Sequence, residues 1–312
     1  MSAQETINIS VIDPISPAFE KVKTILFKPF DLGKWFVIGF CVWLAYLGKG
    51  GGGGGSNFGM GPHPGEELEP AKDFILQNLP WILPLAIFGV AAGIAIWLLI
   101  TWLSSRGQFM FLHCVSQNKA EVKVPWARFR QHGNSLFLFR IVVGLLAFAA
   151  IGLPLIIIVL LIIALFSGHA PHAAPILGLV VAGLATFVIA VGICLLYKFT
   201  KDFVVPIMFL RTTSCTAAWR ELLTLLSSHK AQFVLYILFQ IVIAITIGAI
   251  ILAAILATCC CAACILAIPY VGTVLMLPVL IFKRAYSLCY LQQFGPEFDV
   301  FSSEVETVSA AR

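Results

Sequence analysis

Long uncharged runs alternate with short basic segments along this chain. Stretches free of Asp, Glu, Lys and Arg cover 14 residues from Trp35 to Gly48, 32 from Phe74 to Ser105, 57 from Ile141 to Tyr197 and 52 from Ala231 to Phe282. An α-helix rises 1.5 Å per residue, so about 20 residues cross the roughly 30 Å hydrocarbon layer of a bilayer. The second run predicts one span. The third and fourth would each be about 80 Å long as single helices and must double back as hairpins. In the third, the Gly-, Pro- and His-containing stretch Ser167 to Pro175 is the predicted turn. The first run reaches only about 21 Å unless its helix starts earlier and Lys34 snorkels. An all-α polytopic membrane protein with six transmembrane helices results, the first of them the shortest.

Composition agrees. The chain is 60% hydrophobic and only 11% charged, where soluble domains are nearer a quarter charged. Of twenty Lys and Arg, eighteen fall in the N-terminal arm, in the segments after the second and fourth spans, and after the sixth; only Lys49 and Lys72 lie in the other loops. Positive charge stays on the cytoplasmic side. Both termini are therefore expected there, in a cell membrane, with no cleavable signal peptide at the start. The expected organisation is a cytoplasmic arm over 1–34, a six-helix membrane domain over 35–293 and a cytoplasmic tail over 294–312.

Three cytoplasmic stretches resemble one another and each leads into an odd-numbered span, beginning at Ser16, Val124 and Thr216. Each carries an aromatic residue (Phe19, Trp126, Trp219), a short amphipathic turn and an aromatic entry to the membrane. Three repeated units of an interfacial helix plus a hairpin would explain them, and so would the ordinary composition of a membrane interface. In the third stretch Trp219, Leu222, Leu223 and Leu226 recur at helical spacing and predict one apolar stripe.

The run CCCAAC, Cys259 to Cys264, falls at the outer turn of the last hairpin. Adjacent cysteines have Cα atoms about 3.8 Å apart, too close to bridge well, so a disulfide would join Cys261 to Cys264 or Cys260 to Cys264. Packing of small residues, a disulfide, and a metal or lipid adduct are all open readings.

Catalytic signatures are missing. No intramembrane carboxylate, HExxH or GxSxG is present, and the glycine tract after Lys49 does not match a phosphate-binding loop. Arg140, at the start of the third span, is expected to snorkel to headgroups. Asp202 reads as a local ion pair with Lys201 at the interface. Pro154, Pro206, Pro269 and Pro278 could interrupt helices around a transport site, with Gln240, Thr186, Thr246 and Thr273 as polar lining.

The segments DFVVPIM (Asp202 to Met208) with Ala218 and Trp219, then IPYVG (Ile268 to Gly272) and YLQQFGPEF (Tyr290 to Phe298), resemble an uncharacterised family of six-span prokaryotic membrane proteins. That family is similar to the membrane domain attached to some glycerophosphodiester phosphodiesterases. The likeness implies no catalytic residue, because the phosphodiesterase chemistry belongs to a separate barrel. A non-enzymatic protein without cofactor or metal is expected, organising membrane lipids or partner proteins rather than nucleic acid, with Asp202, Arg140, Trp126 and Trp219 as candidate functional positions. The alternative is a carrier or lipid-moving transporter.

Overall fold

The computed structural model describes residues 9–48, 78–166, 173–258 and 261–301. The described chain is helical: α1 Ile15–Phe27, α2 Leu32–Tyr46, α3 Leu79–Gln117, α4 Lys123–Arg128, α5 Arg130–Phe166 and α6 Ala173–Phe199. A π turn, Thr200–Val204, joins α6 to α7 Val205–Arg211. Then come α8 Cys215–Ser228, α9 Lys230–Ala257, α10 Cys261–Ala267, α11 Pro269–Leu275, α12 Leu277–Gln292 and a 3-10 turn Pro296–Phe298. No strand occurs among the described residues.

Four helices are long and apolar enough to cross a membrane: α3, α5, α6 with α7, and α9. The pair α11 and α12, bent by 61° at their junction, makes a fifth if counted as one span. The third uncharged run does fold as a hairpin, α5 against α6. Its turn, 167–172, and the glycine-rich loop, 49–77, lie outside the described residues. The fourth run also doubles back, but its return leg is broken: Pro269 and Pro278 each open a new short helix, as expected of a residue that lacks an N–H and fits best in a first turn. Pro154, by contrast, sits inside a continuous α5.

The first uncharged run differs most from expectation. Asp31 caps α2, its Oδ1 accepting from the Gly33 N–H at 2.8 Å, and the helix has 15 residues, short of the length needed to span. Its partner is the C-terminal half of α3, in antiparallel register. Lys34 Nζ donates to Asn118 Oδ1 at 2.8 Å, Cys41 Sγ lies 3.8 Å from Cys114 Sγ, and Ser104 Oγ and Gln108 Nε2 donate to the Ala45 carbonyl at 2.9 and 2.6 Å. The two helices approach so closely that a Cβ on Gly107 would lie 2.5 Å from the Ala45 nitrogen. The apolar face of α2 is thus spent on a protein core, alongside the part of α3 that carries Arg106, Gln108 and His113.

That core lies at one end of the molecule, where the basic residues are. The buried residues are the inner part of α1, much of α2, 104–116 of α3, the π turn with α7, the first turns of α8 and α9, and 284–291 of α12. The apolar stretches of α3, α5, α6 and α9 leave the core with their Leu, Ile, Val and Phe side chains largely uncovered by protein, the surface that a lipid solvent requires. The two ends of the described chain meet at the same basic end. Ser10 and Gln293 exchange hydrogen bonds of 2.7 and 2.9 Å, and Tyr286 Oη donates to the Val11 carbonyl at 2.8 Å.

The three similar segments form helices of unequal length, 13 residues in α1, 6 in α4 and 14 in α8. Their aromatic residues differ in setting: Phe19 is exposed while Trp126 and Trp219 are half-buried. In α8 the buried face is Cys215, Ala218 and Leu222, and Leu223 points away, so the predicted stripe is rotated by part of a turn.

Candidate functional site

Proline chemistry creates the most unusual local geometry. Pro206 has no N–H, and its ring crowds the carbonyl four residues back. The helix widens just before it: the Val205 N–H reaches the Thr200 carbonyl, five residues back, and Thr200–Val204 forms a π turn. Such single turns are frequent at functional positions. With Val205 committed to Thr200 and proline at 206, the Lys201 carbonyl has no helical donor at either spacing. Arg284 Nη1 from α12 takes it, at 2.6 Å.

The turn also aims Asp202 inward. Its Oδ2 accepts from Lys198 Nζ at 2.8 Å and from Tyr236 Oη at 3.2 Å. Gln240 Nε2 donates to Tyr236 Oη at 3.1 Å, and Lys198 Nζ reaches Gln240 Oε1 at 3.3 Å. Four side chains from α6, the π turn and α9 thus close a ring of hydrogen bonds. The expected partner of Asp202 was Lys201; the actual partner is Lys198, one helical turn back, which is where i,i+4 neighbours meet. Lys201 points the other way, its Nζ donating to Tyr46 Oη and lying over the Tyr46 ring.

Charge is unbalanced here. Lys198, Lys201 and Arg284 surround one carboxylate, and Arg284, 2% exposed, leaves Nε and Nη2 without a partner. Burying cations without counter-charge is costly. Asp202 and Arg284 are buried, and Lys198, a third exposed, is the member of the cluster that meets the surface. Among the described residues no group of three or more His, Cys, Asp or Glu could hold a metal.

Arg140 is a second buried cation, 7% exposed. Its Nη1 donates to Ser105 Oγ at 3.1 Å and Ser104 Oγ at 3.4 Å, and it borders a cavity of about 180 Å³ with Thr101, Ser104, Trp97, Ile100, Tyr197 and the end of α2. It does not snorkel along the surface as expected; α3 encloses it. Trp126 packs edge-on to Trp102, ring centres 5.9 Å apart, and the two indoles flank the Arg106 guanidinium at 4.9 and 4.2 Å. Trp219 stacks on Phe139 at 6.0 Å. The four candidate positions therefore fall in four separate settings. Cys264 is exposed; Cys259, Cys260 and the Cys261 side chain lie outside the described residues, and the pairing of Cys261 with Cys264 with them.

Of the four polar residues expected to line a transport path, only Gln240 joins the buried ring. Thr186, Thr246 and Thr273 donate to carbonyls of their own helices at 2.7, 2.9 and 2.8 Å. Sequence reading missed a larger feature, an apolar crevice of about 460 Å³ between α1, α9 and α12, walled by Phe19, Val242, Ile247, Ile250, Val279 and Phe282 among others. Two residues expected around a path, Thr246 and Pro278, do line it; its other positions are apolar, which lipid contact alone would explain.

A family model described as "Family of unknown function (DUF7544)" matches residues 9–280, and the chain belongs to that family. No curated protein and no solved structure matches it. The expected membership of an uncharacterised family is met. Nothing in these comparisons ties the chain to glycerophosphodiester phosphodiesterases.

Proposed function

We propose that this member of a family of unknown function is a non-enzymatic, multi-pass protein of the cell membrane that organises lipid along its helices. The crevice between α1, α9 and α12 carries the proposal: almost all of its lining is carbon, and one wall is the amphipathic helix α1 with Phe19 exposed. A lateral groove of that chemistry suits an acyl chain, since burying apolar surface is worth roughly 25 cal/mol per Å². The meeting of Ser10 with Gln293 favours both termini on one face, and the excess of Lys and Arg at that end favours the cytoplasmic one.

The test is native mass spectrometry of the full chain purified in mild detergent. Val242→Phe with Ile247→Phe should fill the crevice and reduce the number of co-purifying lipids while the melting temperature holds. Equal lipid retention in variant and parent would sink the proposal. A lipid-moving activity is the second reading, favoured by the 61° break between α11 and α12 beside the crevice; exchange of labelled phospholipid between leaflets of reconstituted vesicles, above the empty-vesicle rate, would select it.

A further inference from the structure

The cavity beside Arg140 is built for an anion. The Ser104 hydroxyl donates to the Ala45 carbonyl at 2.9 Å and the Ser105 hydroxyl to the Thr101 carbonyl at 2.8 Å. With those protons committed, both serines offer Arg140 only neutral lone pairs. A guanidinium has five N–H donors and a permanent charge, yet among the described residues no carboxylate pairs with it. The ionisable groups that face it are Tyr197 of α6 and Cys215 of α8, neither of them a counter-ion at neutral pH. Lys201, close enough to feel Arg140, adds a second positive charge. Space is present as well as charge: the cavity holds about 180 Å³.

We infer that Arg140 binds a phosphate group in this cavity, through the fork of N–H donors that matches phosphate oxygens. Its position selects the ligand. The long apolar run of α5 starts at the next residue, Ile141, and Trp97, half-exposed, stands at the cavity edge. A phosphate at that depth is either the phosphodiester of a lipid or a soluble ion from the aqueous side. The inference rests on Arg140 and not on the crevice, so either can fail alone.

The experiment back-titrates the delipidated full chain in neutral detergent with phosphatidylglycerol, with phosphatidylcholine, and with inorganic phosphate, following the melting temperature and lipid retention in native mass spectra. One retained phospholipid, held about tenfold less tightly by Arg140→Gln, supports a lipid source. Stabilisation by inorganic phosphate alone, lost in the same variant, supports a soluble source. Thr101→Leu, which fills the cavity and keeps the charge, should abolish either response if Arg140→Gln fails to fold. No response to any of the three ligands, or equal responses in parent and variants, overturns the inference.

Discussion

Arg284 and Lys201, 83 residues apart, are joined by a hydrogen bond of 2.6 Å from a guanidinium to a backbone carbonyl. The bond exists because a proline two residues beyond the π turn has no N–H to give. A defect in one helix is thus completed by a side chain from another, and the same distortion turns Asp202 toward Lys198 and Tyr236.

Removing the carboxylate and removing its nearest cation should differ sharply. Asp202→Asn leaves three cations without a counter-charge and is expected to cost about 3 kcal/mol or more. Lys198→Met leaves Asp202 held by Tyr236, and because Lys198 is a third exposed the loss should stay below about 1 kcal/mol. Unfolding of both variants by denaturing detergent checks the order; equal losses would contradict the ring described for Asp202.

The register of α2 on α3 can be read chemically. With only Cys41 and Cys114 retained, mild oxidation should link them, since their sulfurs are 3.8 Å apart and small rotations bring them to bonding distance. Mass spectrometry of the digested protein detects the link. Its absence with an oxidant that reaches buried thiols, under conditions that oxidise exposed Cys264 in the parent chain, would argue for a different pairing.

Gly107→Ala should destabilise the fold by roughly 1–3 kcal/mol, because the new methyl meets α2 backbone rather than a movable side chain. The same substitution at Gly89, which has open space around it, should have little effect or raise helix stability slightly. Melting temperatures of the two variants make the comparison.

Burial pushes the Cys215 thiol up to about 12. Between its unfolded value of 9.0 and that value the unfolded chain loses a proton that the folded one keeps, so this group's contribution to stability falls as pH rises. Subtracting the pH dependence of Cys215→Ala from that of the parent between about pH 9 and 11 should leave a negative slope; a flat difference would mean the thiol reaches water.

Hydropathy made the α5–α6 hairpin legible, because uncharged length sets the number of bilayer crossings. It left α2 without a partner, since a sequence such as FVIGFCVWLAY is as apolar against α3 as against lipid, and only the Ala45 contacts with Ser104 and Gln108 reveal what it packs on. Asp202 and Arg140 stood out as charges beside apolar runs. Their partners could not be read: Lys198 is local but competes with Lys201, whereas Arg284, Tyr236 and Ser105 arrive from other helices through tertiary packing.

Cohesion concentrated at one end has a mechanical result. The helices are gripped where the core is and stand largely apart from it beyond Leu103, Arg140, Tyr197 and Gln240, so their far portions can tilt to match bilayers of different hydrophobic thickness while the clasped end keeps its shape.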